Sequence, residues 1–207
     1  GVVREGGDNG QPADAGESAA PTERVEPEGV RNRGRTGEQL APRERKPRLT
    51  NSANQTTYQP ESNANGLDTL VPSNMADALR GALERLAKKV GNIDEFVAKE
   101  LGFASTGELA VRDDGEPRFS AEQIDAIALA IDAAKNGAAA VLGDQTGVGK
   151  GRVMAALSLW ARLNDMVPVL FTEKVDLYGD MFRDLRDIGS PDVDMVMTNT
   201  DGNIPMD

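Results

Sequence analysis

The residues best suited to chemistry lie in one glycine-rich loop, Gly143–Arg152, which reads Gly-Asp-Gln-Thr-Gly-Val-Gly-Lys-Gly-Arg. An apolar stretch comes directly before this loop, and a helical pattern follows it. Glycines let a backbone wrap closely around an anion, so that amide N–H groups and a helix N-terminus face the negative charge. Lys150 adds a cation that can reach the β and γ phosphates of a nucleotide. The loop therefore predicts a nucleotide phosphate site, and an ordinary glycine-rich turn is the alternative.

ATP is the expected ligand, together with Mg²⁺, and Lys150 is the predicted catalytic residue of the loop. The residues assigned to nucleotide binding are Gln145, Thr146, Gly147, Val148, Gly149, Lys150, Gly151 and Arg152. Arg152 has two interpretations, because its guanidinium can reach phosphate or can pair with nearby carboxylates.

Two positions depart from the usual phosphate-loop pattern, Gly-x-x-x-x-Gly-Lys-Ser/Thr. Asp144 stands in place of the first glycine, and Gly151 replaces the hydroxyl residue that ordinarily binds Mg²⁺. The metal would then need water or another ligand, which argues against efficient hydrolysis. We therefore assign no metal-binding residue from the sequence.

The composition excludes several kinds of site. The 207 residues include no Cys and no His, which excludes disulfides, thiolate zinc sites and His-dependent nucleophilic catalysis. The net charge of −11 makes the chain a poor non-specific binder of nucleic acid. Basic residues are concentrated between Arg31 and Arg48, a segment that either touches phosphates or is a solvated linker. No apolar run approaches the roughly 20 residues of a membrane span.

The chain divides by composition into three parts. Residues 1–66 are polar, without a helical or strand period, and are predicted to be a disordered leader. Residues 71–111 hold two amphipathic patterns, separated by a glycine, that predict a small helical hairpin. From residue 117 to 207, helix and strand patterns alternate. This alternation predicts an α/β fold, a partial domain with a parallel sheet and helical crossovers.

The loop's position depends on the elements around it. Ser120 and Gln123 have the spacing of a capping box at the start of the preceding helix. Strands are predicted at Ala138–Leu142, Val167–Phe171 and Val193–Met197, with helices at about Gly149–Leu163 and Leu177–Ile188. In the last helix, the series Asp180, Arg183, Asp184, Arg186 and Asp187 has the spacing of an exposed, salt-bridged face.

Several motifs carry a resemblance to a known family. They are Phe119-Ser120-Ala121-Glu122-Gln123, the loop Gly143–Arg152, Asp176-Leu177-Tyr178, and Arg183-Asp184-Leu185-Arg186-Asp187-Ile188-Gly189. Together they resemble the start of the helicase domain in strawberry-notch-type proteins and their large phage relatives of the methylase-helicase or antirestriction type. In that family Gly-Lys-Gly-Arg is the usual form of the loop. The resemblance is weaker over the hairpin and does not extend to the leader.

The resemblance implies the N-terminal part of a RecA-like P-loop domain in a superfamily-two, DNA-directed ATPase of phage or mobile-element origin. It implies that Gln123 reads the adenine edge, whereas its local alternative is the capping box with Ser120. It also implies that Thr172 and Glu173 contact the DNA backbone, with a helix N-cap as the alternative. The location implied is the cytoplasm of a host cell, or a phage virion.

The second acidic motif of such motors is missing, because Asp192 and Asp194 precede or lie within the last predicted strand. The chain is therefore expected to be part of a longer ATPase, and to bind nucleotide without hydrolysing it well alone. The alternative from another class is a phage internal virion protein whose leader anchors it to a partner. A small-molecule kinase is a third interpretation, although no substrate-binding lid is visible.

Overall fold

The computed structural model describes residues 38–42, 50–52, 54–143, 148–172, 174, 176–190 and 192, all within the compact unit Asn32–Asp207. The strands are β1 Thr50–Ser52, β2 Gln55–Thr57 and β3 Leu70–Pro72. The helices are α1 Ser73–Val90, α2 Ile93–Glu100, α3 Thr106–Ala110, α4 Ala121–Lys135, α5 Lys150–Leu163 and α6 Asp176–Asp187. No helix in the described part of the chain is long and apolar enough to cross a membrane.

The sheet of this fold is small and antiparallel. Its strand order is β1-β2-β3, with Gln55 opposite Pro72 and Thr57 opposite Leu70. The pairing of β1 with β2 contains a register shift. Because β3 ends at Pro72 and α1 begins at Ser73, the sheet leads directly into the first helix. The observed fold is thus a mixed, mainly helical one.

The parallel sheet predicted for the C-terminal part is not present among the described residues. Neither Ala138–Leu142 nor Val167–Phe171 forms a strand, and Val193–Met197 lies outside the described residues. Val141 and Phe171 are 93% and 89% exposed. An apolar run favours a strand, but a parallel strand forms only against neighbours that satisfy its main chain. Within the described ranges neither segment has such a neighbour, so the partial RecA-like sheet stays a prediction.

The hydrophobic core is built around α4, which packs against α1, α2 and α5. Ile124, Ile127 and Ile131 form its stripe, and all three are fully buried. Burying one such side chain contributes about 1.5–3 kcal/mol. Leu86 and Leu109 of the predicted hairpin segment belong to the same core. The hairpin therefore shares its core with the helices that follow.

The amphipathic helices were predicted close to their observed bounds. α1 begins at Ser73, with Pro72 as its N-cap and no side-chain cap. α3 was not predicted, because five residues are too few to show a period. Its N-cap is Ser105, whose hydroxyl accepts a hydrogen bond from the Glu108 N–H at 3.1 Å.

The predicted disordered leader, residues 1–66, is wrong at its C-terminal end. The Tyr58 hydroxyl and the Ser62 N–H donate to the Asp125 carboxylate at 2.8 and 3.0 Å. The Ser62 hydroxyl donates to Asp94 at 2.5 Å, and the Asn63 N–H donates to the same carboxylate at 2.9 Å. Hydrogen bonds to two buried aspartates hold this segment in place. Because these contacts are polar, a composition poor in apolar residues did not indicate that the segment is ordered.

A second stretch of the predicted leader also packs on the helices. The Leu40 N–H donates to the Thr106 hydroxyl at 2.8 Å, and the Gly107 N–H donates to the Glu38 carbonyl at 3.0 Å. Residues 1–37 and 43–49 lie outside the described residues, and with them the basic side chains between Arg31 and Arg48.

Asp125 should give the stability of this fold a distinctive pH dependence. The pKa of its carboxyl is raised to about 7, mainly by burial and to a smaller extent by the nearby Asp94, against the hydrogen bonds from Glu61, Tyr58 and Ser62. Below about pH 4 the group is protonated in both the folded and the unfolded chain. Between about pH 4 and 7 only the unfolded chain releases the proton, so this group lowers the free energy of unfolding as pH rises.

The substitution Asp125→Asn should therefore lower the free energy of unfolding, relative to wild type, more at pH 4.5 than at pH 7.5. The difference should be up to a few kcal/mol, since one pKa unit corresponds to about 1.4 kcal/mol. Urea unfolding across this range measures the difference. Asp132→Asn is the matched control, because Asp132 lies on the same helix in an exposed pair with Lys89. A difference between wild type and Asp125→Asn that is constant with pH would contradict the prediction.

Candidate nucleotide-binding site

The structure describes both ends of the glycine-rich loop: Gly143, and then Val148 to Arg152. Gln145, Thr146 and Gly147 lie outside the described residues. α5 begins at Lys150, directly after Gly149, whose φ of 75° and ψ of 43° are left-handed. Such a backbone favours glycine. The loop therefore leads into a helix whose N-terminus places the positive end of its dipole beside Lys150.

Gln123 joins the start of α4 to the C-terminal end of the loop. Its Oε1 accepts from the Ser120 N–H at 3.0 Å, and the Ser120 hydroxyl accepts from the Gln123 N–H at 3.3 Å. The predicted capping box is thus present. The Nε2 group of the same side chain donates to the Val148 carbonyl at 2.9 Å and to the Gly149 carbonyl at 3.4 Å. A Cβ on Gly149 would overlap this Nε2, so glycine is required here on two grounds.

Gly151 is the second residue of α5, and it lies against α6. A Cβ at this position would overlap the Oδ2 atom of Asp184 and stand 3.1 Å from its Cγ. Burial raises the pKa of the Asp184 carboxyl, while the positive charges of Arg183 and Arg152 lower it. The missing hydroxyl at residue 151 therefore has a steric reason, because a carboxylate from α6 occupies the space of the side chain.

Arg152 makes the carboxylate pair that was one of its two interpretations. One nitrogen of its guanidinium donates to the carbonyls of Pro117 and Arg118 at 2.9 and 3.2 Å. The other pairs with Asp187 at 3.1 Å, and Arg112 pairs with the second oxygen of Asp187 at 3.0 Å. These contacts direct the guanidinium towards α6, and a phosphate contact by Arg152 stays a prediction.

The glycine-rich loop, the left-handed Gly149 and the leading Lys150 form a phosphate-binding arrangement, and a comparison with protein families agrees with it. Residues 75–204 match the family described as P-loop containing NTP hydrolase pore-1. The chain belongs to this family. The match begins within α1 and extends past α6, so the helices around the loop are part of the P-loop NTP hydrolase domain. Comparisons with curated proteins and with solved structures found no match.

The charged face predicted for α6 is only partly exposed in this P-loop domain. Arg183 pairs with Asp180 at 2.9 Å in an exposed pair, as the spacing predicted. Asp184 and Asp187, in contrast, face α5, with side chains 14% and 26% exposed. The i,i+3 and i,i+4 spacing shows that residues share a side of a helix, but it does not show whether that side faces solvent.

Arg118 is a buried cation beside the loop that the sequence did not reveal. It is 2% exposed, donates to the Ile188 carbonyl at 3.1 Å, and lies 4.6 Å from the centre of the Phe103 ring. Burial lowers its pKa. Its Nε has no hydrogen-bond partner within the described part of the chain. Arg118 thus anchors the end of α6 next to the residues that hold Arg152.

The two predicted DNA contacts are only partly within the described residues. The Thr172 hydroxyl accepts from the Lys174 N–H at 3.3 Å and donates to the Lys174 carbonyl at 3.2 Å, so its described contacts are local. Glu173 lies outside the described residues. A DNA contact by either residue stays a prediction.

A P-loop NTP hydrolase usually binds its nucleotide with Mg²⁺, and the site can be compared with that requirement. Across the described residues, no group of three or more acidic side chains is placed to hold a metal ion by itself. Mg²⁺ commonly needs only one or two carboxylates, since phosphate oxygens and waters complete its shell. Asp184, beside the second residue of α5, is a carboxylate of this kind. The residues present therefore fit a metal ion held mainly by phosphate.

Gly149→Ala should destabilise the domain by about 1–2 kcal/mol from the left-handed backbone alone, with a further cost from the overlap with Gln123. In the double variant Gly149→Ala/Gln123→Ala the overlap is absent, so the two substitutions should cost less together than the sum of each alone. Chemical unfolding measures this coupling. Gly143→Ala is the control, because a Cβ there meets no atom of the described residues within 4 Å. Additive effects of the two substitutions would contradict the observed contact.

Proposed function

We propose that this chain is the nucleotide-binding N-terminal part of a superfamily-two-like, DNA-directed ATPase of the strawberry-notch type. The observation that carries the proposal is the start of α5, where Lys150 follows the left-handed Gly149 in a P-loop NTP hydrolase domain. A cation at a helix N-terminus, after a glycine-rich loop, suits the phosphates of ATP.

The contacts between distant motifs support the helicase-type part of the proposal. Gln123, in the segment Phe119–Gln123, contacts the loop through the carbonyls of Val148 and Gly149. Asp187, in the segment Arg183–Gly189, contacts the loop's last residue, Arg152. Three of the four segments that carry the family resemblance thus lie together in the fold, as parts of one site would.

Gln123 would have three tasks in this proposal. Its Oε1 caps α4, and its Nε2 holds the end of the phosphate loop. When nucleotide is bound, the same amide would read the adenine edge. A base contact by this residue would be transmitted to the loop, because a single side chain touches both.

ATP hydrolysis would require more than the described site. The attacking water needs a positioned acidic residue, and the sequence after Lys150 contains no Asp-Glu pair. In the proposal this chain therefore binds ATP with Mg²⁺, and efficient DNA-directed hydrolysis belongs to a longer polypeptide of phage or mobile-element origin in a host cell. The alternative of a virion protein anchored by its leader gains no support from residues 54–66, which pack on the chain's own helices.

Calorimetry with ATP and Mg²⁺ tests nucleotide binding directly. Wild type should bind, and Lys150→Ala should weaken the affinity by about tenfold or more, since a hydrogen bond to a charged group contributes about 1.5–3 kcal/mol. Lys88→Ala, an exposed lysine at the end of α1, is the matched control and should bind like wild type. A folded wild-type chain that does not bind ATP would remove the basis of the proposal.

Gln123→Glu separates the adenine role from the capping role. Glutamate keeps the oxygen that caps α4, since both Glu and Gln serve at this position of a capping box. It has no amide group to donate to the loop or to adenine. The variant should keep the α4 cap but lose part of the thermal stability, because its second carboxylate oxygen faces the carbonyls of Val148 and Gly149. It should also lose the discrimination between ATP and GTP that an adenine contact provides. Equal losses of ATP and GTP affinity would instead assign Gln123 to the loop alone.

A further inference from the structure

The space beside Gly151 contains an oxygen atom that belongs to another helix. In an ordinary phosphate loop, the residue after the lysine is Ser or Thr, and its hydroxyl binds Mg²⁺. Here a Cβ at Gly151 would overlap Asp184 Oδ2, so the carboxylate of α6 lies where that side chain would project. An oxygen atom of Asp184 therefore lies beside the position from which the hydroxyl of Ser or Thr would project.

We infer that Asp184 supplies the oxygen ligand for the nucleotide's divalent metal ion that Gly151 cannot supply. The inference rests on the proposed function, since the metal would arrive with the nucleotide. The inferred ligand lies outside the loop, on α6, where the spacing of the charged residues predicts an exposed face.

The position of Asp184 is fixed by its neighbour one turn further along α6. Asp187 pairs with Arg152 at 3.1 Å and with Arg112 at 3.0 Å. The pair with Arg152 connects α6 to the first turn of α5, and the pair with Arg112 connects α6 to the segment after α3, so both Asp187 oxygens are occupied. Asp184 is left facing Gly151, with Arg183 3.9 Å from its other carboxylate oxygen.

The chemistry of the position favours a divalent cation. The Asp184 side chain is only 14% exposed, so its negative charge has lost much of its solvation. A metal ion shared with nucleotide phosphates would compensate that charge, and one carboxylate is sufficient for Mg²⁺ in such a setting. The competing explanation is that Asp184 only packs against the positively charged N-terminus of α5.

The test compares ATP affinity in EDTA with ATP affinity in Mg²⁺, for wild type, Asp184→Asn and Asp180→Asn. Asparagine keeps the shape of the side chain and removes its charge. Wild type should bind ATP more tightly with metal, and Asp184→Asn should lose about tenfold or more of that gain while its affinity in EDTA changes little. Asp180→Asn is the control on the same helix and should behave as wild type, because Asp180 pairs with the exposed Arg183.

Binding of Mn²⁺ in the presence of ATP, followed by electron paramagnetic resonance, provides a readout independent of affinity for ATP itself. Asp184→Asn should raise the Mn²⁺ dissociation constant of the complex by about tenfold or more. Circular dichroism and thermal unfolding establish that each variant is folded. Unchanged Mn²⁺ affinity in folded Asp184→Asn would overturn the inference.

Introducing the usual hydroxyl residue at position 151 distinguishes metal binding by Asp184 from packing by Asp184. Gly151→Thr alone should lower stability, because its side chain collides with Asp184. Asp184→Ala alone should lose the metal-dependent gain, and Gly151→Thr/Asp184→Ala should recover both stability and metal dependence. If Asp184→Ala keeps the full metal-dependent gain in ATP affinity, Asp184 only packs against α5 and does not bind the metal. If wild type fails to bind ATP at all, the proposed function fails as well, so the two failures are distinguishable.

Discussion

The close approach of three helices at the start of α5 is the constraint on which this site depends. Gly149 and Gly151 have no side chains, so Gln123 from α4 and Asp184 from α6 can reach the backbone on either side of Lys150. A Cβ at either glycine would push one of these side chains away. The glycines thus serve the contacts with neighbouring helices as much as the curvature of the loop, and each fixes one polar group beside the helix N-terminus.

A second set of polar contacts holds the N-terminal segment to the same helices. Asp125 on α4 and Asp94 on α2 are buried, and they accept hydrogen bonds from the backbone and side chains of residues 58–63. Because Asp125 lies only two residues after Gln123, one helix carries both the attachment of this segment and the brace of the loop. The stability of α4 therefore affects the phosphate site as well as the hydrophobic core.

The helices and the loop could be predicted from the sequence because their signals are local. The spacing of Ile124, Ile127 and Ile131, and the pair Ser120 and Gln123, each lie within one element. The predicted strands Ala138–Leu142 and Val167–Phe171 are not present in the described fold. A strand forms only with hydrogen-bonding neighbours that lie far away in the sequence, and a local pattern does not show them. The roles of Asp184 and Asp187 were missed for a related reason. Their spacing places them on one side of α6, and only the packing of α6 on α5 shows what that side contacts.

The two ends of the loop are supported unequally in the described fold. At its C-terminal end, α5 is packed between α4 and α6, and Gln123 holds the carbonyls of Val148 and Gly149. At its N-terminal end, Gly143 follows residues 138–142, which form no strand among the described residues and leave Val141 exposed. A binding group held in place before the ligand arrives loses less free energy on binding. Lys150, at the supported end, is therefore the part of the phosphate site that this fold organises in advance. The metal oxygen inferred for Asp184 belongs to the same supported end, because the ion pair of Asp187 with Arg152 connects α6 to α5 without a ligand.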